Sequence, residues 1–208
     1  MLWIAMLRGI NVGGHTVKME RLRQLFAELG FEDVRTYIQS GNVFFESPEG
    51  DRAALAQRIE QHLRRALGYD VPVCLRTVAE LEAILALDPF EDRDVTPNMR
   101  LCITFTAKPI PSDLVVPWRS PNGDVEIVRT TSFEAFVIWY IINGRPPSTL
   151  APLERALGGK TTTRFFHTTA QILAAAKQGQ EEMAAEQGGA SSALGGETRT
   201  IPRAKDRG

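Results

Sequence analysis

A glycine-rich turn near the N-terminus carries the residues best suited to chemistry: Arg8-Gly9-Ile10-Asn11-Val12-Gly13-Gly14, with His15 adjoining it. Gly9, Gly13 and Gly14 let the backbone take positive φ and come close to a ligand, and the free N–H groups of a following helix start favour an anion. An arginine beside such glycines presents a forked donor that suits a carboxylate or a phosphate. Ser40 and Asn42, in the turn Gln39-Ser40-Gly41-Asn42, add short polar side chains. The expected site is therefore Arg8, Gly9, Asn11, Gly13, Gly14, His15, Ser40 and Asn42, holding a small anionic or phosphorylated ligand, with turnover of that ligand left open. The Gly9-x-x-x-Gly13-Gly14 spacing is neither the dinucleotide fingerprint nor the phosphate loop ending in Lys-Ser/Thr, so no nucleotide class follows from it. A purely structural reading stands beside the functional one: a tight strand-to-helix connection in which Arg8 bridges to a carboxylate and Asn11 bonds the backbone.

No nucleophile and base stand together as a unit. His62 falls among charged helix positions and His167 precedes a helix start, while His15 could serve as acid, base or donor beside an anion. Metal-ligand spacing is absent, the acidic loop Asp88-Pro89-Phe90-Glu91-Asp92-Arg93-Asp94 fits no calcium loop, and no cofactor is expected. Cys74 and Cys102 lie inside apolar runs and read as buried free thiols. With 208 residues, 43% hydrophobic and 24% charged, and a net charge of −1, the chain can bury a large core and lacks the basic excess common in dedicated nucleic-acid binders. No apolar run approaches the ~20 residues that span a bilayer, and Arg8 is misplaced for a secretion signal. A cytoplasmic location without membrane association is expected.

The elements that would position the turn are legible in order. Leu2–Leu7 is apolar at every position, as in a central strand covered on both faces. Met19, Leu22, Leu25, Phe26 and Leu29 form one helical stripe before Gly30. Val34–Ile38 and Val43–Phe45 flank the Ser40-Gly41 turn as a hairpin, and Asp51 opens a helix bearing Leu55, Ile59, Leu63 and Leu67 that Gly68 closes. Val71–Leu75 follows, with Pro72 demanding a sheet edge. This order, strand-helix-strand-strand-helix-strand, is that of the ferredoxin-like split βαβ sandwich, assigned to residues 1–76. Its topology puts the loop after the first strand and the hairpin turn at the same end, so Arg8 and Asn11 should face Ser40 and Asn42. A capping box, Thr77-Val78-Ala79-Glu80, starts a connecting helix within residues 77–98. Residues 99–177 repeat the order in degenerate form: Leu101–Phe105, a short helix at Ser112–Val116, Val125–Val128, Phe133–Ile142, a helix capped by Ser148, and Thr161–Phe165. The fold class is α+β, two ferredoxin-like subdomains packed together. Residues 178–208, with few large apolar side chains, read as a disordered tail.

The words Ala-Met-Leu-Arg-Gly-Ile-Asn-Val-Gly-Gly (5–14), Met-Glu-Arg-Leu-Arg (19–23) and Val-Arg-Thr-Tyr-Ile-Gln-Ser-Gly-Asn-Val (34–43) closely resemble the bacterial family known as domain of unknown function 1697. Val71-Pro72-Val73, Arg76-Thr77 and Asp88-Pro89-Phe90 extend the resemblance, which covers residues 1 to about 176. It implies a two-part α+β protein with a shared motif and no assigned activity. From the second half it carries over Ser148, Thr163, Arg164 and Thr168. Where the family reads Thr-Thr-Arg-Asn-Trp-Asn-Thr and Ser-Lys-Leu, this chain has Thr162-Thr163-Arg164-Phe165-Phe166-His167-Thr168 and Ser148-Thr149-Leu150, so several polar groups are replaced.

Two other function classes remain beside small-ligand binding. Ferredoxin-like sheets bind RNA by stacking bases on exposed aromatics, and Trp3, Phe44 and Phe45 are available, but no aromatic ribonucleoprotein motif occurs. Edge strands and the Arg35/Tyr37 surface could instead pair with another chain, giving an assembly protein without ligand chemistry.

Overall fold

The computed structural model describes residues 1–192, which form nine strands and five helices. The chain divides into two compact units, Met1–Ala176 and Lys177–Gly208, and both sheets belong to the first. The first sheet comprises β1 (Leu2–Leu7), β2 (Glu32–Tyr37), β3 (Asn42–Glu46) and β4 (Val73–Thr77) in the order β2-β3-β1-β4, with every neighbouring pair antiparallel. The alternating side chains of β1 explain why it is apolar throughout. Trp3, Ala5 and Leu7 pack against Leu22, Leu25 and Phe26 of α1 (Met19–Ala27) and Leu55, Ile59 and Leu63 of α2 (Arg52–Leu67). Leu2, Ile4 and Met6 point to the opposite face, where they meet Ile103, Phe105, Phe136 and Ile138 of the second sheet.

That second sheet has the order β6-β7-β8-β5-β9 and is again antiparallel throughout. Its strands are β5 (Met99–Thr106), β6 (Trp118–Arg119), β7 (Val125–Thr130), β8 (Glu134–Tyr140) and β9 (Thr161–Phe165). The outer face, with Cys102, Ile127, Ala135 and Val137, is covered by Leu153 and Leu157 of and beyond α4 (Ala151–Ala156) and by Ile110, Leu114 and Trp118. The two sheets thus share one apolar interface between them and each carries a separate outer core.

Local signals act as expected at several boundaries. Asp51 accepts from the N–H groups of Ala53 and Ala54, Gly68 closes α2 at φ +82°, and Thr77 with Glu80 forms the capping box of α3 (Val78–Leu85). Pro72 precedes the edge strand β4, and its carbonyl accepts the Arg8 N–H at 3.0 Å. Others fail. Ser112–Val116 is a turn rather than a helix, because Pro111 and Pro117 leave too short a run between them, and the two-residue β6 forms instead. Ser148 caps nothing: α4 begins at Ala151, whose N–H is taken by the Thr149 hydroxyl at 3.2 Å. The final helix, α5 (Phe166–Ser192), runs through residues 178–192, which the composition assigned to a disordered tail; alanine-rich sequence has high helix propensity even where it has little to bury. The rest of that expected tail, 193–208, lies outside the described residues.

Candidate functional site

The turn after β1 is fastened from both sides. Asn11, at φ +57°, donates from Nδ2 to the Gln39 carbonyl at 2.9 Å and accepts the Val17 N–H on Oδ1 at 2.7 Å, so its amide holds the loop to the hairpin turn. Gly41, at φ +75°, brings the hairpin against the loop: a Cβ there would stand 2.9 Å from Ile10 Cβ and 3.1 Å from Leu7 Cβ, and its carbonyl accepts the Leu7 N–H at 2.8 Å. The loop and the Ser40 turn therefore lie at one end of the sheet, as the topology requires.

The second half of the chain completes the place. Arg164 on β9, only 8% exposed, reaches across the sheets and donates from Nε to Asn42 Oδ1 at 2.8 Å and from Nη2 to the carbonyls of Leu7 at 3.0 Å and Ser40 at 2.9 Å. Its Nη1 donates to Thr162 Oγ1 at 2.8 Å and the Thr163 carbonyl at 3.0 Å. Every acceptor is neutral, and among the described residues no carboxylate pairs with it. Burial pulls its pKa down to about 10, which still leaves it a cation at neutral pH. Asn42 is fully buried, and its Nδ2 donates to Ser40 Oγ at 3.0 Å and the Tyr37 carbonyl at 3.2 Å.

Between these elements opens a recess of about 540 Å³. One wall is Arg8, Gly9 and Ser40; the other is Thr163, Arg164 and Thr168. Residues from the first-half turn and from the second-half segment, far apart in sequence, thus border one space. Arg8 pairs with Glu154 of α4 and donates from Nη1 to the Thr161 carbonyl at 3.3 Å. Thr163 Oγ1 is 2.9 Å from Thr104 Oγ1. Apart from Thr161 and Thr162 the remaining lining is apolar and partly open to solvent: Val12, Ile38 and Phe165 are all exposed, and Trp139 meets Phe165 edge-on with ring centroids 5.9 Å apart. Ile38 sits at φ +49°, a conformation that costs a β-branched residue about 1–3 kcal/mol.

Of the residues expected from the sequence, Arg8, Gly9, Ser40, Thr163, Arg164 and Thr168 border the recess, and Asn11 and Asn42 brace its walls. Gly13, Gly14, His15 and Ser148 do not border it. The His15 ring stacks on Tyr69 at 3.8 Å between centroids, and Gly13 and Gly14 are exposed. Glu154, Trp139 and Ile38 were not singled out by sequence reasoning. Glu154 lies on an ordinary amphipathic turn, and nothing local to it signals a partner at Arg8. Among the described residues no group of His, Cys, Asp and Glu could hold a metal ion, and no helix is long and apolar enough to cross a membrane.

The glycine turn and the hairpin both fall within the part of the chain that matches a family. Residues 1–136 match the family described as Protein of unknown function (DUF1697), and the chain belongs to it. Among solved structures, the chain is similar to the conserved bacterial protein SP0830 from Streptococcus pneumoniae, at 23% identity and a TM-score of 0.58, over 85% of this chain and 98% of that one. At that identity the likeness shows the fold alone. No curated protein matches the chain.

Proposed function

We propose that the protein binds a small anionic ligand in the recess between the Arg8-Gly9 turn and β9. The observation that carries this reading is the charge of the place: among the described residues Arg164 is a buried cation without an acidic partner and Arg8 is offset by Glu154 alone, so the recess holds net positive charge. A buried or half-buried cation without a counter-ion is costly, and an anion entering the space would relieve that cost. The strained Ile38 at its rim and the exposed Val12 and Phe165 supply apolar contact for the body of a ligand. Among the described residues no nucleophile-base pair borders the recess, and the proposal is of binding.

The same sheet order supports reading each half as a ferredoxin-like unit, since β2-β3-β1-β4 is matched by β7-β8-β5-β9, with β6 as an added edge and turn residues in place of one helix. In this arrangement Trp3 and Phe45 lie under the helices and Phe44 under the second sheet, which removes the open aromatic platform that an RNA-binding sheet uses.

The test is a thermal-shift and calorimetric screen of the full chain against carboxylates, phosphorylated metabolites and nucleotides, with a salt-titrated RNA-binding assay alongside. An anion is expected to raise the melting temperature, and Arg8→Ala to weaken it by about 1.5–3 kcal/mol without unfolding the chain. A melting temperature lowered by Arg8→Ala, together with no ligand shift in the parent, would favour the Arg8–Glu154 pair as simple scaffolding. Strongly salt-dependent RNA binding would favour a nucleic-acid role.

A further inference from the structure

We propose that the ligand of this recess is a zwitterion, a free α-amino acid with a large apolar side chain; the inference rests on reading the recess as a ligand site. Its starting point is that Arg8 is not a free cation. It is paired with Glu154, both side chains border the recess, and they are 39% and 21% exposed. A plain anion arriving at Arg8 either displaces Glu154, leaving a partly buried carboxylate without its partner, or shares the guanidinium with it; either way its charge lies beside that of Glu154 with no cation added, which is unfavourable for both.

A ligand carrying an ammonium one carbon from its carboxylate avoids this. It inserts into the pair, carboxylate on the Arg8 guanidinium and ammonium on Glu154, so both side chains exchange one ionic partner for another. The bonds described for Arg8 run through Nη1, which leaves the rest of its planar fork for a second acceptor. Arg164 sets the polarity. Its N–H groups are committed to Asn42, Leu7, Ser40 and β9, so it makes no new bond, but its unpaired charge draws the carboxylate end of the ligand toward β9 and leaves the ammonium end toward α4.

The rest of the lining selects the side chain. Trp139, Phe165 and Leu150 form an apolar wall opposite Val12 and Ile38, and about 540 Å³ lies within the range of roughly 300–1,000 Å³ of small-molecule sites. Trp139 and Phe165 already meet at the edge-to-face geometry that a third ring extends. Residues that must stay at a cost support the same use: Ile38 holds its apolar side chain over the recess from a left-handed backbone position.

The deciding experiment follows the Gly9 amide and the Trp139 indole N–H by nitrogen-15 NMR on the full chain. The probes are L-phenylalanine, L-leucine and L-methionine, with 3-phenylpropionate, which lacks the ammonium, and 2-phenylethylamine, which lacks the carboxylate. The expected result is saturable shifts at both sites with L-phenylalanine, at least tenfold tighter than with either single-charge analogue. Glu154→Gln should erase the advantage over 3-phenylpropionate, and Arg8→Gln the advantage over 2-phenylethylamine. The analogue series uses the unaltered protein, so it decides independently of how the variants fold. If 3-phenylpropionate binds as tightly as L-phenylalanine, or if the anion screen shifts these resonances while none of the amino acids does, the zwitterion inference is overturned and the anion site stands. Silence of both resonances toward every amino acid and every anion overturns both.

Discussion

Replacing Arg164 by methionine removes the clasp between the two sheets while keeping most of the side-chain volume. The heaviest consequence falls on Asn42. Its Oδ1 is fully buried and its described partner is Arg164 Nε at 2.8 Å, so the variant strands an acceptor at a cost of about 1–3 kcal/mol. The Leu7 carbonyl keeps only a long contact from Thr162 Oγ1 at 3.4 Å among these cross-sheet bonds, whereas the exposed Ser40 residue can turn to water. Removing a cation that burial disfavours returns part of the loss. The net expectation is a destabilisation of about 2–4 kcal/mol, read as a lowered urea midpoint at unchanged slope. Because the stranded amide is the cause, Asn42→Ala in the Arg164→Met background should cost less than the sum of the single changes, with a coupling of about 1–3 kcal/mol. Hydrogen exchange should quicken at the Asn42 end of β3. A loss under about 1 kcal/mol, or additivity within about 0.5 kcal/mol, would refute the assignment of Arg164 as a clasp.

The second inter-sheet arginine is built differently and predicts differently. Arg76, 1% exposed, donates from Nε to Glu134 Oε1 at 2.6 Å and from Nη2 to the carbonyls of Thr106 and Phe133, so Glu134→Gln should cost about 3–5 kcal/mol by chemical denaturation, and the paired change Arg76→Met with Glu134→Leu much less. The thiols should be inert in the native state: burial pushes Cys74 up to about 11 and raises Cys102 as well, so neither should react with a thiol reagent at pH 8 until the chain is unfolded. Since a raised thiol pKa disfavours ionisation in the folded state only, stability should decline as pH rises from about 8.5, where unfolded cysteine ionises, toward 11.

What could be read from the sequence divides by the range of the interaction. Helix starts and stops at Asp51, Gly68 and Thr77, and the double-sided burial of β1, are governed by neighbours within a turn or by strand alternation, and these stand where the residues place them. The convergence of Arg8 and Ser40 followed from topology alone. The failures also have local causes. Ser148 is a competent cap, but Ala151 takes its bond from Thr149, and prolines on either side of Ser112–Val116 leave no room for a nucleated helix. The site residues that escaped notice depend on contacts between distant segments. Glu154 borders the recess with Arg8 reaching it, and Asn42, named from the sequence, braces the wall through Arg164 of β9. Nothing in the spacing of either pair encodes that meeting.

This long-range construction bears on the differences that the family resemblance suggested in the second half of the chain. The match to the family covers residues 1–136 and so includes the Arg8 wall, while Glu154 and β9 lie beyond it. Phe165 stands on that second wall, in a position where the resemblance called for an amide, and its ring meets Trp139 on one side and His167 on the other. An amide there would offer a ligand a donor and an acceptor; a phenyl ring offers only apolar surface and an edge. Arg164, by contrast, agrees with the arginine that the resemblance called for, and it makes the bonds that hold Asn42, Leu7 and Ser40 in place. The frame of the recess and its charge therefore rest on residues that agree with the resemblance, and the apolar character of one wall on a residue that departs from it. For the proposed site, that combination of clasp and apolar wall predicts a difference in ligand preference rather than a loss of binding.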